Sequence, residues 1–211
     1  MKMQREKLII IGAGGHTRVV IDIAELLGYE IKGIIDINYQ NQNEKILTYP
    51  VIGNINILGK YDPREVNIFI SIGDSKVRYN YYNKVKEIGF NIPTLIHPTA
   101  IISKHVIIGE GSLINAGVII NSKVKIGCNT IINTGSIIDH ETIINDNVHV
   151  APGCKIAGRV YIDDFSFIGI GTCIVDKIKI GKSVIVGAGT VVINDIDSGD
   201  IVAGIPGKSI K

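Results

Sequence analysis

Residues Ile96–Asp197, read in sixes, run IHPTAI ISKHVI IGEGSL INAGVI INSKVK IGCNTI INTGSI IDHETI INDNVH VAPGCK IAGRVY IDDFSF IGIGTC IVDKIK IGKSVI VGAGTV VINDID. The first position is Ile or Val in all seventeen hexads. If about a third of residues here are branched aliphatics, chance would give that run on the order of one time in 10⁸. The fifth position is Ala, Ser, Thr, Cys or Val in fifteen hexads, with Ile178 and Ile196 as the exceptions. Six residues make one short strand and one turn. Three such units make an eighteen-residue triangular coil, with first-position aliphatics stacked inside and small fifth-position residues in the narrow corners. Coils spaced at the strand separation of about 4.8 Å give a prism roughly 27 Å long. No hexad is interrupted, so no long loop is expected to leave the prism.

Before residue 96 the pattern changes. Leu8–Ile11 is a continuous apolar run, as in a strand buried on both faces. Gly12-Ala13-Gly14-Gly15-His16 follows, then Val19, Val20, Ile23, Ala24, Leu26 and Leu27 at helical spacing, with Gly28 as the stop. Ile31–Ile35 reads as a second strand ending at Asp36, and Asn38–Lys45 as a polar loop. Ile68–Ile72 reads as a third strand, Ser75–Ile88 as a helix closed by Gly89, and Ile92–Ile96 as a last short strand. This predicts a small, mostly parallel α/β sheet, half of a doubly wound fold. The expected organisation is an α/β domain over residues 1–95, the repeat prism over 96–197 and a tail over 198–211.

The 211 residues are 45% hydrophobic, enough for a sizeable core. Charge is balanced, with 22 Lys+Arg against 20 Asp+Glu, which gives no electrostatic case for nucleic acid or an anionic membrane. Mean hydropathy is +0.29, yet no apolar run reaches the roughly 20 residues of a membrane span. Leu8–Ile11 is too short for a signal peptide, so the expected location is cytoplasmic. Cys128, Cys154 and Cys173 show no CxxC spacing and read as packing residues rather than a disulfide or zinc framework.

Two places carry chemistry. Gly12–His16 follows a strand and opens a helix, the context of a phosphate loop. Thr17 stands where a full GxGxxG dinucleotide fingerprint needs glycine. Asp36 ends the second strand, where a ribose-binding acid belongs. These features favour a mononucleotide or nucleotide sugar over NAD. In the prism, His140-Glu141 can supply a general base whose tautomer a carboxylate fixes. Residues eighteen apart stack, so His140 lies over Ser122 on one side and Gly158 on the other. Gly158 is therefore a candidate oxyanion donor. The column Thr134, Pro152, Ile170, Ala188 is small or apolar, suited to a pantetheine arm. His149 is half a coil from His140, on a different face. If both serve one site, neighbouring subunits must supply one each.

The repeat resembles the hexapeptide-repeat acyltransferases, left-handed parallel β-helices that work as homotrimers. IIGAGGHTRVV, IIDHETIINDNVHVAPGCKIAG and VAGIPGKSIK resemble the opening, active-site stretch and GxPAK-like tail of one group. That group holds the sialic-acid O-acetyltransferases and the bacillosamine-pathway nucleotide-amino-sugar N-acetyltransferases. Gly207 stands where the tail usually has Ala. The resemblance implies an acetyl-CoA-dependent N-acetyltransferase acting on the 4-amino group of a UDP- or dTDP-linked 4-amino-4,6-dideoxy sugar in bacterial surface-glycan synthesis. Sialic-acid O-acetylation is the alternative. It implies His140 as base, Glu141 as its support and Gly158 as oxyanion donor. It places acetyl-CoA against His149, Ile170 and Ala188. It places the nucleotide against Gly14, Gly15, His16, Asp36 and Gly73. Apart from the resemblance, the positive charge of the tail lysines Lys208 and Lys211 suits coenzyme A phosphates. A γ-type carbonic anhydrase shares the fold, but His140 and His149 lack a third ligand, so no metal is expected.

Overall fold

The computed structural model describes residues 5–40 and 44–210. Lys211 and residues 41–43 of the polar loop lie outside them. The chain divides into two compact units, Met1–Leu95 and Ile96–Lys211.

The first unit is built on a five-stranded sheet. Its strands are β1 (Lys7–Ile11), β2 (Glu30–Ile35), β3 (Lys45–Ile46), β4 (Tyr49–Gly53) and β5 (Val66–Ile70), in the order β3-β4-β2-β1-β5. Helices α1 (Gly15–Leu26) and α2 (Ser75–Ile88) follow β1 and β5. All pairings are parallel except β3 with β4. Leu8, Ile9, Ile10 and Ile11 are fully buried, as a strand covered on both faces requires. Asp74 caps α2 by accepting from Val77 N–H at 2.8 Å, and Gly89 closes it in the left-handed conformation.

Two expectations are corrected. The short β3–β4 hairpin occupies a stretch read partly as loop. Residues 92–94 are not strand, and Leu95–Ile96 pairs in the prism sheets instead.

The second unit is the three-sided prism. Its walls are three ladders of two-residue strands. Pairs such as Ile119↔Ile137, Ile143↔Tyr161 and Ile131↔His149 are parallel and eighteen residues apart. First-position residues from Ile114 to Val192 are at most 3% exposed and form one continuous core. Each such aliphatic contributes roughly 1.5–3 kcal/mol by leaving water.

Fifth-position hydroxyls do more than fit the corner. Thr142 Oγ1 donates to Ala157 O at 2.9 Å and accepts from Val160 N at 3.2 Å, and Thr130, Ser136 and Ser166 repeat the pattern. They stitch coil to coil where backbone pairing lapses.

The fourth position carries a signal that the hexad reading passed over. From Gly111 to Gly189 every fourth-position residue is left-handed, with φ between 53° and 70°. One corner meets this demand with glycine throughout: Gly117, Gly135, Gly153, Gly171 and Gly189.

The last hexad is not regular. Ile196 pairs with Ile180, sixteen residues back, and Ile201 pairs with Ile185 at the same reduced spacing. Ile196, an exception among fifth positions, thus takes an inward-facing place in a shortened coil. Ile201–Ala203 and Lys208–Ser209 then extend one wall.

Candidate active site

In the first unit the loops after β1, β2 and β5 leave the carboxyl ends of their strands, where an open α/β sheet forms its binding crevice. They enclose a cleft of about 500 Å³, lined by Gly12–His16, Asp36–Asn38, Glu44 and Ser71–Gly73. Gly14, Gly15, His16, Asp36 and Gly73 all meet here. Gly14 caps α1 without a side chain, and the first turn of α1 holds no acid, so no carboxylate of the helix itself offsets its N-terminal field at the cleft.

Thr17 explains the departure from GxGxxG. It is fully buried, its hydroxyl donates to Gly12 O at 2.7 Å, and it lies 2.8 Å from Ser71 Oγ. A polar pin joins the two loops where a dinucleotide fold uses close glycine packing. Burial, with the nearby Arg78 charge second, pushes the His16 imidazole down to about 4. His16 is therefore neutral at physiological pH and able to donate one ring hydrogen bond.

The second site lies on a prism corner. His140 Nδ1 is 3.4 Å from Glu141 Oε2, with both side chains about half exposed. Glu141 holds the left-handed corner position at φ 59°. The stacking expected from the period is present: Glu141 N donates to Ser122 O at 3.1 Å, and Arg159 N to His140 O at 2.9 Å.

Gly158 lies directly under the imidazole. A Cβ there would stand 2.6 Å from His140 Cε1 and 2.8 Å from Nε2. The ring therefore rests on bare backbone, with Nδ1 beside Glu141. Among the described residues, Gly158 N–H donates to no protein acceptor. The imidazole and this N–H lie on the same corner of neighbouring coils.

Asp139, which sequence reasoning missed, accepts from His140 N–H at 2.7 Å and from Asn121 Nδ2 at 2.9 Å. The His140 backbone bond, then the Asn121 bond, hold its carboxyl below the usual range. Its charge braces the backbone that carries the His140 imidazole.

The column Thr134, Pro152, Ile170, Ala188 runs along the all-glycine corner. Coil-to-coil bonds link it: Gly153 N to Thr134 O, Gly171 N to Pro152 O and Gly189 N to Ile170 O, at 2.7–2.9 Å. Ile170 is 60% exposed, and a Cβ at Gly135, Gly153, Gly171 or Gly189 would meet nothing within 4 Å. The corner is an open, apolar, side-chain-poor track.

His149 lies on the wall before this corner, its ring edge-on to Phe167 at 5.3 Å and its Nε2 3.4 Å from Asn133 Nδ2. It is thus on a different wall from the His140 corner. Lys208 is exposed and pairs with Ala203 at the edge of the wall. Gly207 is tightly enclosed, since a Cβ would meet Thr190 Cγ2 at 2.8 Å, which accounts for glycine in place of the usual Ala.

Cys154 is buried, and burial pushes its thiol up to about 11, which suits packing and not nucleophilic attack. Among the described residues no group of three His, Cys, Asp or Glu side chains is placed to hold a metal, and no helix is long and apolar enough to cross a membrane.

A nucleotide-type α/β unit followed by a hexapeptide prism with a His–Glu corner defines a hexapeptide-repeat acyltransferase. The model of the PglD N-terminal domain matches residues 7–85. The acetyltransferase domain of PglB from Neisseria gonorrhoeae, solved with acetyl coenzyme A, is 33% identical, with a TM-score of 0.92 over 98% of this chain and 100% of that one. A histidine-to-asparagine variant of perosamine N-acetyltransferase from Caulobacter crescentus, solved with CoA and GDP-perosamine, is 33% identical, with a TM-score of 0.92 over 97% of each chain. WeeI from Acinetobacter baumannii is 27% identical, with a TM-score of 0.89 over 96% of this chain and 99% of that one. The chain belongs to the hexapeptide acetyltransferases of the bacillosamine and amino-sugar family, and its prism is their left-handed parallel β-helix. An uncharacterized protein of Acanthamoeba polyphaga mimivirus is 35% identical over 107 residues, and the chain spans only 20% of that curated relative's length.

Proposed function

We propose that the chain is an acetyl-CoA-dependent N-acetyltransferase acting on the 4-amino group of a nucleotide-linked 4-amino-4,6-dideoxy sugar. The observation that carries this reading is the His140 imidazole seated on Gly158 with Glu141 at its other nitrogen. The sugar's amine nitrogen attacks the thioester carbonyl carbon and a C–N bond forms. His140 Nε2 takes the amine proton, while Glu141 holds the Nδ1–H tautomer. Gly158 N–H donates to the oxygen as it gains charge. The C–S bond then breaks, and the leaving coenzyme A sulfur receives the proton.

The glycine corner, with Ile170 and Ala188, is the track for the pantetheine arm, and His149 and Lys208 are further acetyl-CoA contacts. The cleft of the α/β unit takes the nucleotide. His140 and His149 belong to different walls, so for both to serve one site neighbouring copies supply one each, and the family resemblance makes that assembly a homotrimer. Such an enzyme belongs in the cytoplasm, where acetyl-CoA and nucleotide sugars are made, and in surface-glycan synthesis.

Thiol release from acetyl-CoA tests this directly, with UDP-, dTDP- and GDP-linked 4-amino-4,6-dideoxy sugars beside free and CMP-linked sialic acid. Turnover with one nucleotide amino sugar is the expected result. Turnover with sialic acid alone would move the acceptor to a hydroxyl, and silence across the panel would overturn the reading.

A further inference from the structure

Among the described residues Arg78 is the largest fully buried side chain, 1% exposed, on the first turn of α2. Nothing in the reaction described above uses it. Its Nη1 donates to Ile72 O at 2.9 Å and to Gly73 O at 2.8 Å. Ile72 and Gly73 are cleft residues, as is His16 on the opposite loop. The guanidinium thus reaches the wall contributed by the β5–α2 loop by hydrogen bonds and the β1–α1 loop by its field.

The carbonyl directions matter. In a trans peptide, C=O and N–H point opposite ways. Turning the Ile72 and Gly73 carbonyls onto Arg78 turns the N–H groups of Gly73 and Asp74 away from it. A diphosphate offers only acceptors and negative charge. It is recognised by oriented N–H groups and a fixed positive field. Burial pushes Arg78 down to about 10, with Asp74 opposing, so the guanidinium stays charged at neutral pH.

We propose that Arg78 is a positioning residue for the diphosphate of the nucleotide substrate: it fixes the Ile72–Gly73 wall and sets a positive charge behind the cleft. This rests on the reading of that cleft as the nucleotide site. A lysine at 78 keeps the charge and can still donate to one carbonyl. A glutamine keeps a donor and loses the charge.

The test is calorimetric binding of UDP, dTDP and GDP, and of the matching phosphate-free nucleosides, to the full-length wild type, R78K and R78Q, with thermal melting to establish folding. For whichever nucleoside diphosphate the wild type binds, R78Q is expected to bind about tenfold or more weakly, while its nucleoside and acetyl-CoA affinities stay within about twofold. R78K is expected to recover most of the diphosphate affinity. NMR titration is expected to show the His16 imidazole protonating at higher pH in R78Q.

A folded R78Q that binds the diphosphate as tightly as the wild type would overturn the proposal. So would a variant, R78K included, that loses nucleoside and diphosphate affinity alike, since that marks a purely structural residue. If the wild type binds no nucleoside diphosphate, the reading of the cleft falls, and this inference with it.

Discussion

Gly158→Ala is expected to lower kcat by about 10²–10⁴, the worth of the positioned general base that the new methyl displaces, since alanine keeps the backbone N–H, while leaving the melting temperature nearly unchanged. The added methyl would stand 2.6, 2.8 and 3.1 Å from His140 Cε1, Nε2 and Nδ1, well inside contact distance. Gly158 does not occupy the left-handed region, so alanine brings no backbone strain of its own. The exposed ring, not the core, has to yield. It must swing off the backbone, away from both the Glu141 carboxylate and the Gly158 N–H. Steady-state kinetics beside a thermal melt check this. A Gly158→Ala enzyme with more than half the wild-type kcat would show that the stacked ring is not the reactive arrangement.

Replacing His140 by Ala or Asn is expected to cost about 10²–10⁴ in kcat, the worth of a positioned general base. The KM for acetyl-CoA should move little, because the proposed acetyl-CoA track follows another corner of the prism. Glu141→Gln keeps the ring in place but loses the carboxylate's hold on the tautomer, so a smaller loss is expected. A His140→Ala enzyme that loses less than about tenfold in kcat would remove the imidazole from proton transfer.

Much of this is legible in the sequence, for a physical reason. A prism repeats one environment, so each inward position imposes the same demand on the chain every six residues. That is why first-position aliphatics from Ile114 to Val192 are all buried and the eighteen-residue stacking of Ser122, His140 and Gly158 holds.

What was missed had no repeating demand behind it, or a demand that several residue types meet. The left-handed corners accept Gly, Asn, Lys, Glu and even Phe165, so composition there looks random although the conformation does not vary. Ile196 broke the fifth-position rule because the last coil is two residues short. Nothing in the sequence sets Arg78 apart from the other basic residues of α2; the fold turns it inward onto two carbonyls. Asp139 was overshadowed by its neighbour, although an acid just before a corner histidine is placed to accept that residue's N–H. The cleft fared better, because glycine after a buried strand and an acid at the end of the next are local signals of a strand-end crevice.

The central claim is transfer of an acetyl group to nitrogen under His140. Its most direct test is the product formed from acetyl-CoA labelled with ¹³C at the carbonyl and a nucleotide-linked 4-amino-4,6-dideoxy sugar, read by NMR. An amide carbonyl coupled to the N–H at carbon 4, absent when His140→Ala replaces the wild type, is the expected result. A labelled ester, or labelled acetate with the amine untouched, would contradict it.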